Sequence, residues 1–401
     1  MKEWGARYRA GAWVLWLMGA AVPAPGANLS GYVAAELRAF PNTALDPRQH
    51  DENASMVAAP EWSWQWDDGR STIAFVPFVR LDQGDDERTH FDVRELTWSM
   101  AHDTWELRLG VRKVFWGVTE AQHLVDVINQ TDAVENPDGE DKLGQPMINL
   151  ALINTWGTVD LFLLPGFRER TFPGAEGRLR THPRVDTDRA VFESSREDRH
   201  VDFAIRWSHA LGDWDLGLAH FHGTTRDPRF IPVTNADAEL VLAPVYEQID
   251  QSSADIQATK GSWLWKLEGI TRSGQDETFF AATGGFEYTL YGLFDMPMDV
   301  GVVGEYLYDD RPVDTRSPFD DDVFAGVRFT LNDPQSSTAL LGCIVDLGDS
   351  GRLCSLEASR RFGAHWVLSI EARQFQELEA RDPLFTLRRD DYLQAELAYH
   401  F

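Results

Sequence analysis

The sequence predicts an all-β protein, a transmembrane antiparallel up-and-down β-barrel of about 18 strands (about 16 as the alternative) with long extracellular loops. Three observations predict this fold. Apolar and polar residues alternate along most of the chain, short and long connections alternate between these segments, and the chain ends on an aromatic residue, Phe401. A period of two places unlike side chains on the two faces of a strand, as a barrel with lipid outside and water inside requires.

The N-terminus has the pattern of a secretory signal peptide. Lys2, Arg7 and Arg9 precede an apolar run at 10–22, and the small-residue stretch PAPGA follows at 23–27. The run is shorter than the roughly 20 apolar residues of a membrane-spanning helix, although an N-terminal anchor is the alternative. We therefore expect residues 1–27 to be a cleaved signal peptide and residues 28–401 to form a single transmembrane β-barrel domain.

The alternation is clearest in the last strand, where apolar residues occupy every second position: Leu393, Ala395, Leu397, Tyr399 and Phe401. The segments 72–82, 201–208 and 323–332 repeat the pattern. In the segment 88–101, a β-bulge near Arg94–Glu95 is needed to keep both halves in phase. The predicted strands, in chain order, span 28–40, 58–67, 71–84, 88–101, 104–115, 146–156, 157–167, 198–210, 213–224, 247–259, 262–273, 277–290, 296–309, 319–332, 336–348, 351–363, 364–377 and 388–401.

The lengths of the connections provide an independent test of the barrel. Tight turns fall at 67–70, 102–103, 157–158, 212–213 and 260–262, and most of the intervening connections are longer, at 41–57, 117–146, 168–197, 225–246 and 310–318. Outer-membrane barrels have short periplasmic turns and long extracellular loops. A soluble β-sandwich has no reason to separate loop lengths in this way, so the parity favours the barrel over a soluble all-β protein.

Composition excludes some classes of function. The chain carries 64 acidic and 37 basic residues, a net charge of −27, so it lacks the basic surface that nucleic acid requires. There are 15 tryptophans, high for a soluble domain. Tryptophan and tyrosine residues beside the predicted turns are expected to form an interfacial girdle: Trp64, Trp66, Trp98, Trp105, Trp156, Trp214, Trp263, Trp366 and Tyr399.

The chain has two cysteines, Cys343 and Cys354, which excludes a disulfide scaffold and a multi-cysteine metal site. They lie on adjacent predicted strands, where a disulfide and two unlinked small side chains both fit the pattern. The stretch 136–141 matches only part of a calcium-binding loop. We expect no cofactor and no bound metal.

The terminal sequence DDYLQAELAYHF, at 390–401, resembles the targeting signal of outer-membrane proteins that the barrel-assembly machinery reads. The resemblance implies recognition by that machinery through Leu393, Ala395, Leu397, Tyr399 and Phe401, and a location in the cell outer membrane, in contact with its lipid and lipopolysaccharide. A barrel must also pair its last strand with its first, because an open sheet edge is not tolerated in lipid. The segment 28–40 is the expected partner.

The whole chain is similar to proteobacterial porin-like barrels that include alginate exporters and a related uncharacterised family. In that uncharacterised family a strand leads into Trp-Gly, an acidic residue and an Asn-containing turn. Here the corresponding stretches are RKVFWGVTE at 112–120 and VDVIN at 125–129. The family's usual ending is replaced here by Gln130, Thr131 and Asp132, so the resemblance does not carry a substrate over to this chain.

Two long connections are candidates for controlling passage through the barrel. The acidic connection 117–146 is expected either to constrict the pore or to form a solvated extracellular loop, and its stretch 119–128 is weakly amphipathic and fits a short helix. The connection 168–197 is rich in arginine, which suits anionic groups. We expect the two to pair inside the lumen, with a solvated loop as the alternative. The candidate pore-lining or constriction residues are Asp92, Glu106, Arg108, Arg112, Glu120, Asp126, Arg206, Arg168 and Arg170.

These features predict a porin or channel for diffusion or export of small or polymeric hydrophilic solutes, with 117–146 as its constriction. The alternatives are a plugged structural or assembly barrel and an outer-membrane hydrolase. His220 and His222 share one strand face, but with Ser208 and the neighbouring histidines they do not show the spacing of a Ser-His-Asp site. We therefore expect no catalytic residues and no enzymatic activity. The solute, the direction of transport and the ion preference do not follow from the sequence.

Overall fold

The structure is a computed structural model that describes residues 27–293, 296–311, 317–348 and 350–401. The expected signal peptide therefore lies outside the described residues, apart from Ala27. Within them, 18 strands form one closed antiparallel barrel. Each barrel strand pairs with its neighbour in the chain, and the last strand pairs with the first, so the predicted fold class and closure are confirmed.

The barrel strands are β1 (Ala27–Ala39), β2 (Glu52–Trp66), β3 (Ser71–Asp82), β4 (His90–Ala101), β5 (Trp105–Arg112), β6 (Gln145–Asn154), β7 (Gly157–Pro165), β9 (Val201–Leu211), β10 (Trp214–Thr224), β13 (Gln248–Lys260), β14 (Trp263–Gly274), β15 (Asp276–Leu290), β16 (Asp299–Asp309), β17 (Asp321–Thr330), β18 (Thr338–Asp346), β19 (Arg352–Phe362), β20 (Trp366–Gln376) and β21 (Tyr392–His400). Three short strands, β8 (Val191–Phe192), β11 (Arg229–Thr234) and β12 (Leu240–Tyr246), form a separate small sheet within the long loops.

All of the predicted barrel segments correspond to barrel strands. The largest difference in bounds is at β2, which begins at Glu52, in the stretch predicted as loop 41–57. The predicted bulge is present: Val76 pairs with Glu95 and Pro77 pairs with Val93, which leaves Arg94 as the extra residue of β4. The small sheet was not predicted, because its strands lie in connections that were interpreted as loops.

The two faces of the barrel wall are inverted relative to a soluble protein. In β1 the carboxylate of Glu36 and the guanidinium of Arg38 are buried in the interior, whereas Leu37 between them points outward and is 64% exposed. Met56 and Phe91 are likewise exposed on the outside. An apolar outer wall around a charged interior is the arrangement of a membrane-spanning barrel.

Connections alternate in length as predicted. The turns at 67–70, 102–104, 155–156, 212–213 and 261–262 lie at one end of the barrel, called the short-turn end, where exposed tryptophans such as Trp64, Trp156 and Trp214 gather. The connections 40–51, 83–89, 113–144, 166–200 and 225–247 lie at the opposite, long-loop end. The main exceptions are the single residue 275 at the long-loop end and the stretch 291–298 at the short-turn end.

The two cysteines left open by the sequence form a disulfide. Cys343 on β18 and Cys354 on β19 are register partners, and their sulfur atoms are bonded. The bond therefore joins two strands that are already hydrogen-bonded neighbours. Separately, none of the helices in the described part of the chain is long and apolar enough to cross a membrane.

Candidate functional site

The connection between β5 and β6, residues 113–144, enters the barrel and is called the inner loop. The sequence suggested a short helix at 119–128, but this stretch contains turns and extended residues and no helix. Its backbone amides are instead satisfied by side chains of the barrel wall, so the stretch does not need helical hydrogen bonds. The prediction of a helix is therefore wrong.

One side of the inner loop packs against an apolar part of the interior wall. Val125, Val127 and Ile128 are almost completely buried. They pack with Trp116 of the same loop into a cluster whose wall members are Met147, Phe162, Leu164, Ala204, Phe221, Ile249, Ile270, Phe279 and Ala281. Burial of these side chains gives the loop a hydrophobic reason to stay inside the barrel.

The carboxylate of Glu268 on β14 holds the first turn of the inner loop. Its Oε1 accepts hydrogen bonds from the N–H of Val118 at 2.6 Å and from Oγ1 of Thr119 at 2.8 Å, and its Oε2 accepts one from the N–H of Val125 at 3.2 Å. Gly117 has a φ of +146°, and a Cβ there would lie 3.0 Å from Glu268 Oε1. The Trp-Gly of the sequence thus lets the backbone approach this carboxylate.

Two further side chains fix the loop. Glu305 on β16 accepts hydrogen bonds from the N–H groups of Glu120 and Ala121, at 2.8 and 2.9 Å. At the base of the loop, Asn129 is completely buried, accepts from the N–H of Val114 and donates to the carbonyl oxygens of Arg112 and Leu143. Buried polar groups that are fully hydrogen-bonded in this way rigidify a structure.

Acidic side chains of the inner loop pair with basic side chains of the wall. Glu135 contacts Arg80 at 2.6 Å, and Asp132 contacts Arg94 at 2.6 Å. Further along, Asp138 contacts Arg373 of β20 at 2.8 Å. The inner loop is therefore attached to several strands of the wall.

The arginine-rich connection 166–200, called the outer loop, behaves differently from the prediction. The ion pairs of its arginines in the described residues run to strand β4 and to other long loops: Arg168–Asp92, Arg170–Asp227, Arg178–Asp51, Arg178–Asp390, Arg180–Asp46 and Arg184–Glu239. The loops meet where Oγ1 of Thr171 lies 2.5 Å from the carboxylate of Asp132. The prediction that outer-loop arginines pair with inner-loop acids is wrong, because the wall supplies closer cations.

The predicted pore-lining residues occupy four places. Glu106, Arg108 and Arg112 converge with Asn149 on the wall strands β5 and β6. Asp92 pairs with Arg94 and Arg168 near the long-loop end, and Arg206 pairs with Asp255 on the wall and stacks over Trp116. Glu120, Asp126 and Arg170 line an open cavity. The wall residues Glu305 and Arg94 were not predicted, although the alternation of inward and outward positions along their strands could have indicated them.

Two adjoining cavities remain open beside the inner loop. The upper one, toward the long-loop end, has a volume of about 380 Å³ and the lower one about 510 Å³. They share five lining residues, among which Glu120, Asp138 and Glu140 belong to the inner loop and Leu340 and Glu357 to the wall. Both volumes are large enough for several water molecules.

The charges around the two cavities differ. Arginines line part of the upper cavity: Arg170, Arg226, Arg272, Arg311 and Arg373. Seven carboxylates and one arginine, Arg328, line the lower cavity; the acids are Glu120, Asp138, Glu140, Asp141, Glu357, Glu371 and Glu396. The lower cavity is thus strongly acidic.

The pKa of Asp141 is affected by this accumulation of negative charge. Its side chain is exposed to the interior space of the barrel, where desolvation by the surrounding protein, with repulsion from Asp138 and Glu135, raises the pKa of Asp141 to about 7. Desolvation and the charge of Asp138 also raise the pKa of Glu140. Such shifts are expected where like charges share a confined space.

Sequence comparison finds no relative: no family model and no curated protein matches the chain. Solved structures do match. OccK8 (OprE) of Pseudomonas aeruginosa superposes with a TM-score of 0.52 at 10% identity, covering 94% of this chain and 98% of that chain. At this identity the likeness concerns the fold alone, a closed antiparallel β-barrel.

Weaker superpositions are found with a mutant of the Rh. blastica porin and with OmpT, an outer membrane protein of Vibrio cholerae. For the first, the TM-score is 0.44 at 11% identity, with 94% of this chain and 100% of that chain covered. For the second, it is 0.44 at 10% identity, with 94% and 99% covered.

Proposed function

We propose that this protein is an outer-membrane channel for diffusion of small hydrophilic solutes, in which the inner loop is the constriction. The observation that carries the proposal is the position of the loop. It crosses the interior of a barrel whose outer wall is apolar, and Glu268 and Glu305 hold its backbone beside two adjoining open cavities. A loop fastened inside a barrel narrows the passage without closing it when open space remains beside it.

The passage should favour cations. Solutes that leave the upper cavity meet the carboxylates of the lower one, where Glu140 and Asp141 have no ion-pair partner among the described residues. By contrast, the carboxylate of Glu120 forms ion pairs with Lys266 and Arg328. Unpaired carboxylates in a confined passage attract cations and repel anions.

The upper cavity complements this preference. Its arginines face inner-loop acids across the same space, and Phe319, Phe324 and Phe375 add apolar surface. Opposed charges across a pore orient a dipolar solute before it enters the narrower part. We therefore expect small cationic or zwitterionic solutes to pass more readily than anions of equal size.

Conductance in planar lipid bilayers tests the proposal. Under a KCl gradient, the wild-type protein should give stable unit steps and a reversal potential that reports preference for K⁺. Replacing Glu140→Gln and Glu357→Gln together should reduce that preference, whereas Glu176→Gln, at an exposed position of the outer loop, should leave it unchanged.

Two results would contradict the proposal. Absence of ion-conducting steps from folded protein indicates a plugged structural barrel instead. Equal passage of K⁺ and Cl⁻ by the wild type, unaffected by the double substitution, would be compatible with a channel but would contradict the role of the lower cavity in its cation preference. The expected lack of enzymatic activity is a separate prediction, which hydrolysis assays with lipid and peptide would check.

A further inference from the structure

A polar cluster lies on the outside of the barrel, in a wall that is otherwise largely apolar. It consists of His220 and His222 on β10 and Asp250 and Ser252 on β13, and is called the outer-wall cluster. Register pairs His220 with Ser252 and His222 with Asp250. Their outward direction follows from their neighbours, because Phe221 and Ile249 point inward and pack against the inner loop.

The cluster lies at the long-loop end of the wall. His222 is two residues from the end of β10, and Asp250 is two residues from the start of β13. The side chains of both histidines and of Asp250 are about half exposed, at 50%, 52% and 55%. A charged group on the lipid face is tolerated near the interface at little cost, so the height of the cluster permits it but does not explain it.

One carboxylate oxygen lies between the two imidazole rings. Oδ1 of Asp250 is 2.9 Å from Nδ1 of His222 and 3.6 Å from Nε2 of His220. In a tetrahedral zinc site with bonds of roughly 2.0–2.2 Å, neighbouring ligand atoms are about 3.3 Å apart. The two observed distances lie on either side of this value.

The cluster also has a group that orients one ring. Oγ of Ser252 lies 3.0 Å from Nδ1 of His220, on the side of the ring away from the carboxylate. In metal sites, a histidine that binds through one nitrogen commonly has its other nitrogen held by a hydrogen bond. Ser252 fills this position for His220 and leaves Nε2 directed toward Asp250.

The ion pairs of Asp250 differ from those of the interior. In the described part of the chain, interior carboxylates such as Glu135 and Asp138 contact arginine, whereas Asp250 contacts only the two histidines. Arginine does not ligate metals, but neutral imidazole does, and two imidazoles with one carboxylate suit zinc and similar ions. The set is therefore free to take up a cation.

A second histidine–carboxylate group inside the barrel makes a useful contrast. His90, Asp132 and Glu135 lie close enough together for an ion, but Arg94 contacts Asp132 at 2.6 Å and Arg80 contacts Glu135 at 2.6 Å. These guanidiniums already neutralise both carboxylates and would repel a dication. Compact geometry alone therefore does not favour that group, and the absence of arginine favours the outer-wall cluster.

We propose that the outer-wall cluster binds a divalent transition-metal ion, with Zn²⁺ as the reference ion, through Nε2 of His220, Nδ1 of His222 and Oδ1 of Asp250. The three ligand atoms of the cluster do not all lie within 4.8 Å of one another, as those of His90, Asp132 and Glu135 do, so binding requires the exposed imidazoles to rotate toward the ion. Remaining positions on the ion stay open to water or to another oxygen ligand. This activity is separate from passage through the lumen and does not depend on the proposed channel function.

The test is a Zn²⁺ titration of the full-length protein in detergent, purified without a histidine tag, with heat release as the readout. One saturable site is expected. Because even a supporting partner of a ligand is worth about 10–100-fold in affinity, His222→Ala and Asp250→Asn should each weaken binding by at least tenfold. His209→Ala is the matched control, since His209 lies on the neighbouring strand β9 without a carboxylate contact among the described residues, and it should bind as the wild type does.

Co²⁺ provides a second readout that does not depend on affinity. Bound to the wild type, Co²⁺ should give the visible absorption of a site with nitrogen ligands, and the band should be lost in the double variant His220→Ala, His222→Ala. Retained Zn²⁺ binding and an unchanged Co²⁺ band in that variant, or no saturable binding by the folded wild type, would overturn the proposal. Channel conductance of the same variants should stay unchanged.

Discussion

The inner loop precedes the hairpin β6–β7 in the chain, and the outer loop follows it. The two loops are similar in length but occupy different places. The inner loop is held by the interior wall, through Glu268, Glu305 and Arg80. The outer loop is held largely by other loops, as in the pairs Arg180–Asp46 and Arg184–Glu239. The two loops therefore differ in whether their partners belong to the barrel wall or to other loops.

Both loops have buried ion pairs, but the outer loop also has exposed ones. In the inner-loop anchor, the side chains of Arg80, Glu36 and Glu135 are 6%, 3% and 5% exposed. The outer-loop pair Arg178–Asp390 is buried too, with both side chains 1% exposed, whereas Arg184 and its partner Glu239 are 24% and 31% exposed. Because water screens the Arg184–Glu239 pair, its loss should matter little. The comparison teaches that the position of a long loop depends on whether its ion-pair partners belong to the wall or to other loops, rather than on its length.

The largest expected effect comes from breaking the buried anchor. Arg80→Ala leaves the carboxylates of Glu36 and Glu135 without one of their main cations and should destabilise the folded barrel by about 3–5 kcal/mol, whereas Arg184→Ala should cost about 0–1 kcal/mol. Denaturant unfolding in detergent or lipid measures both. Equal losses of stability in Arg80→Ala and Arg184→Ala would contradict the distinction between the loops.

A smaller effect is expected when one carboxylate that holds the inner-loop backbone is removed. Glu268→Ala leaves the N–H groups of Val118 and Val125 without their acceptor, at a cost of about 1–3 kcal/mol for each buried group left unsatisfied. The freed turn should make the unit current noisier. Glu396→Ala is the control, because this lumen carboxylate makes no hydrogen bond to the loop in the described residues. Quiet steps in Glu268→Ala would contradict the anchor role.

The smallest expected effect is on pH dependence. The pKa of Asp141 is raised to about 7, so its carboxyl is charged above that pH and becomes neutral below it. Preference for K⁺ should therefore fall modestly between pH 8 and pH 6, as the negative charge of Asp141 leaves the lower cavity. Reversal potentials at the two pH values measure this change, and Asp141→Asn should make it smaller. A preference that rises on acidification would contradict this assignment.

Much of the fold followed from local pattern. Alternation in 393–401 and the parity of loop lengths predicted the strands, the closure between β1 and β21 and the bulge at Arg94, because each depends on the two-residue period and on the need to satisfy every edge in lipid. The hairpin of β11 and β12 is local but lies in a stretch interpreted as loop, and the pairing of β8 with β12 could not be predicted, since it joins segments far apart in the chain.

The site was predictable only in part. The sequence identified the acidic inner loop but not the role of Glu268, whose carboxylate accepts hydrogen bonds from the loop, because that contact depends on how far 113–144 reaches across the barrel. Arginine composition wrongly suggested pairing between the loops. Opposite charges in neighbouring segments do not pair when wall residues such as Arg80 and Arg94 are closer.

The inner loop as constriction is the central claim, and unit conductance tests it most directly. Residues 125–140 are replaced by a short Gly-Ser linker, and, as a control, residues 187–195 of the outer loop are replaced in the same way. Folding of both variants is checked by the heat-dependent shift in gel mobility that closed barrels show. The account predicts that the inner-loop variant conducts severalfold more per channel than the wild type, while the outer-loop variant changes little. Unchanged unit conductance in the folded inner-loop variant would contradict it.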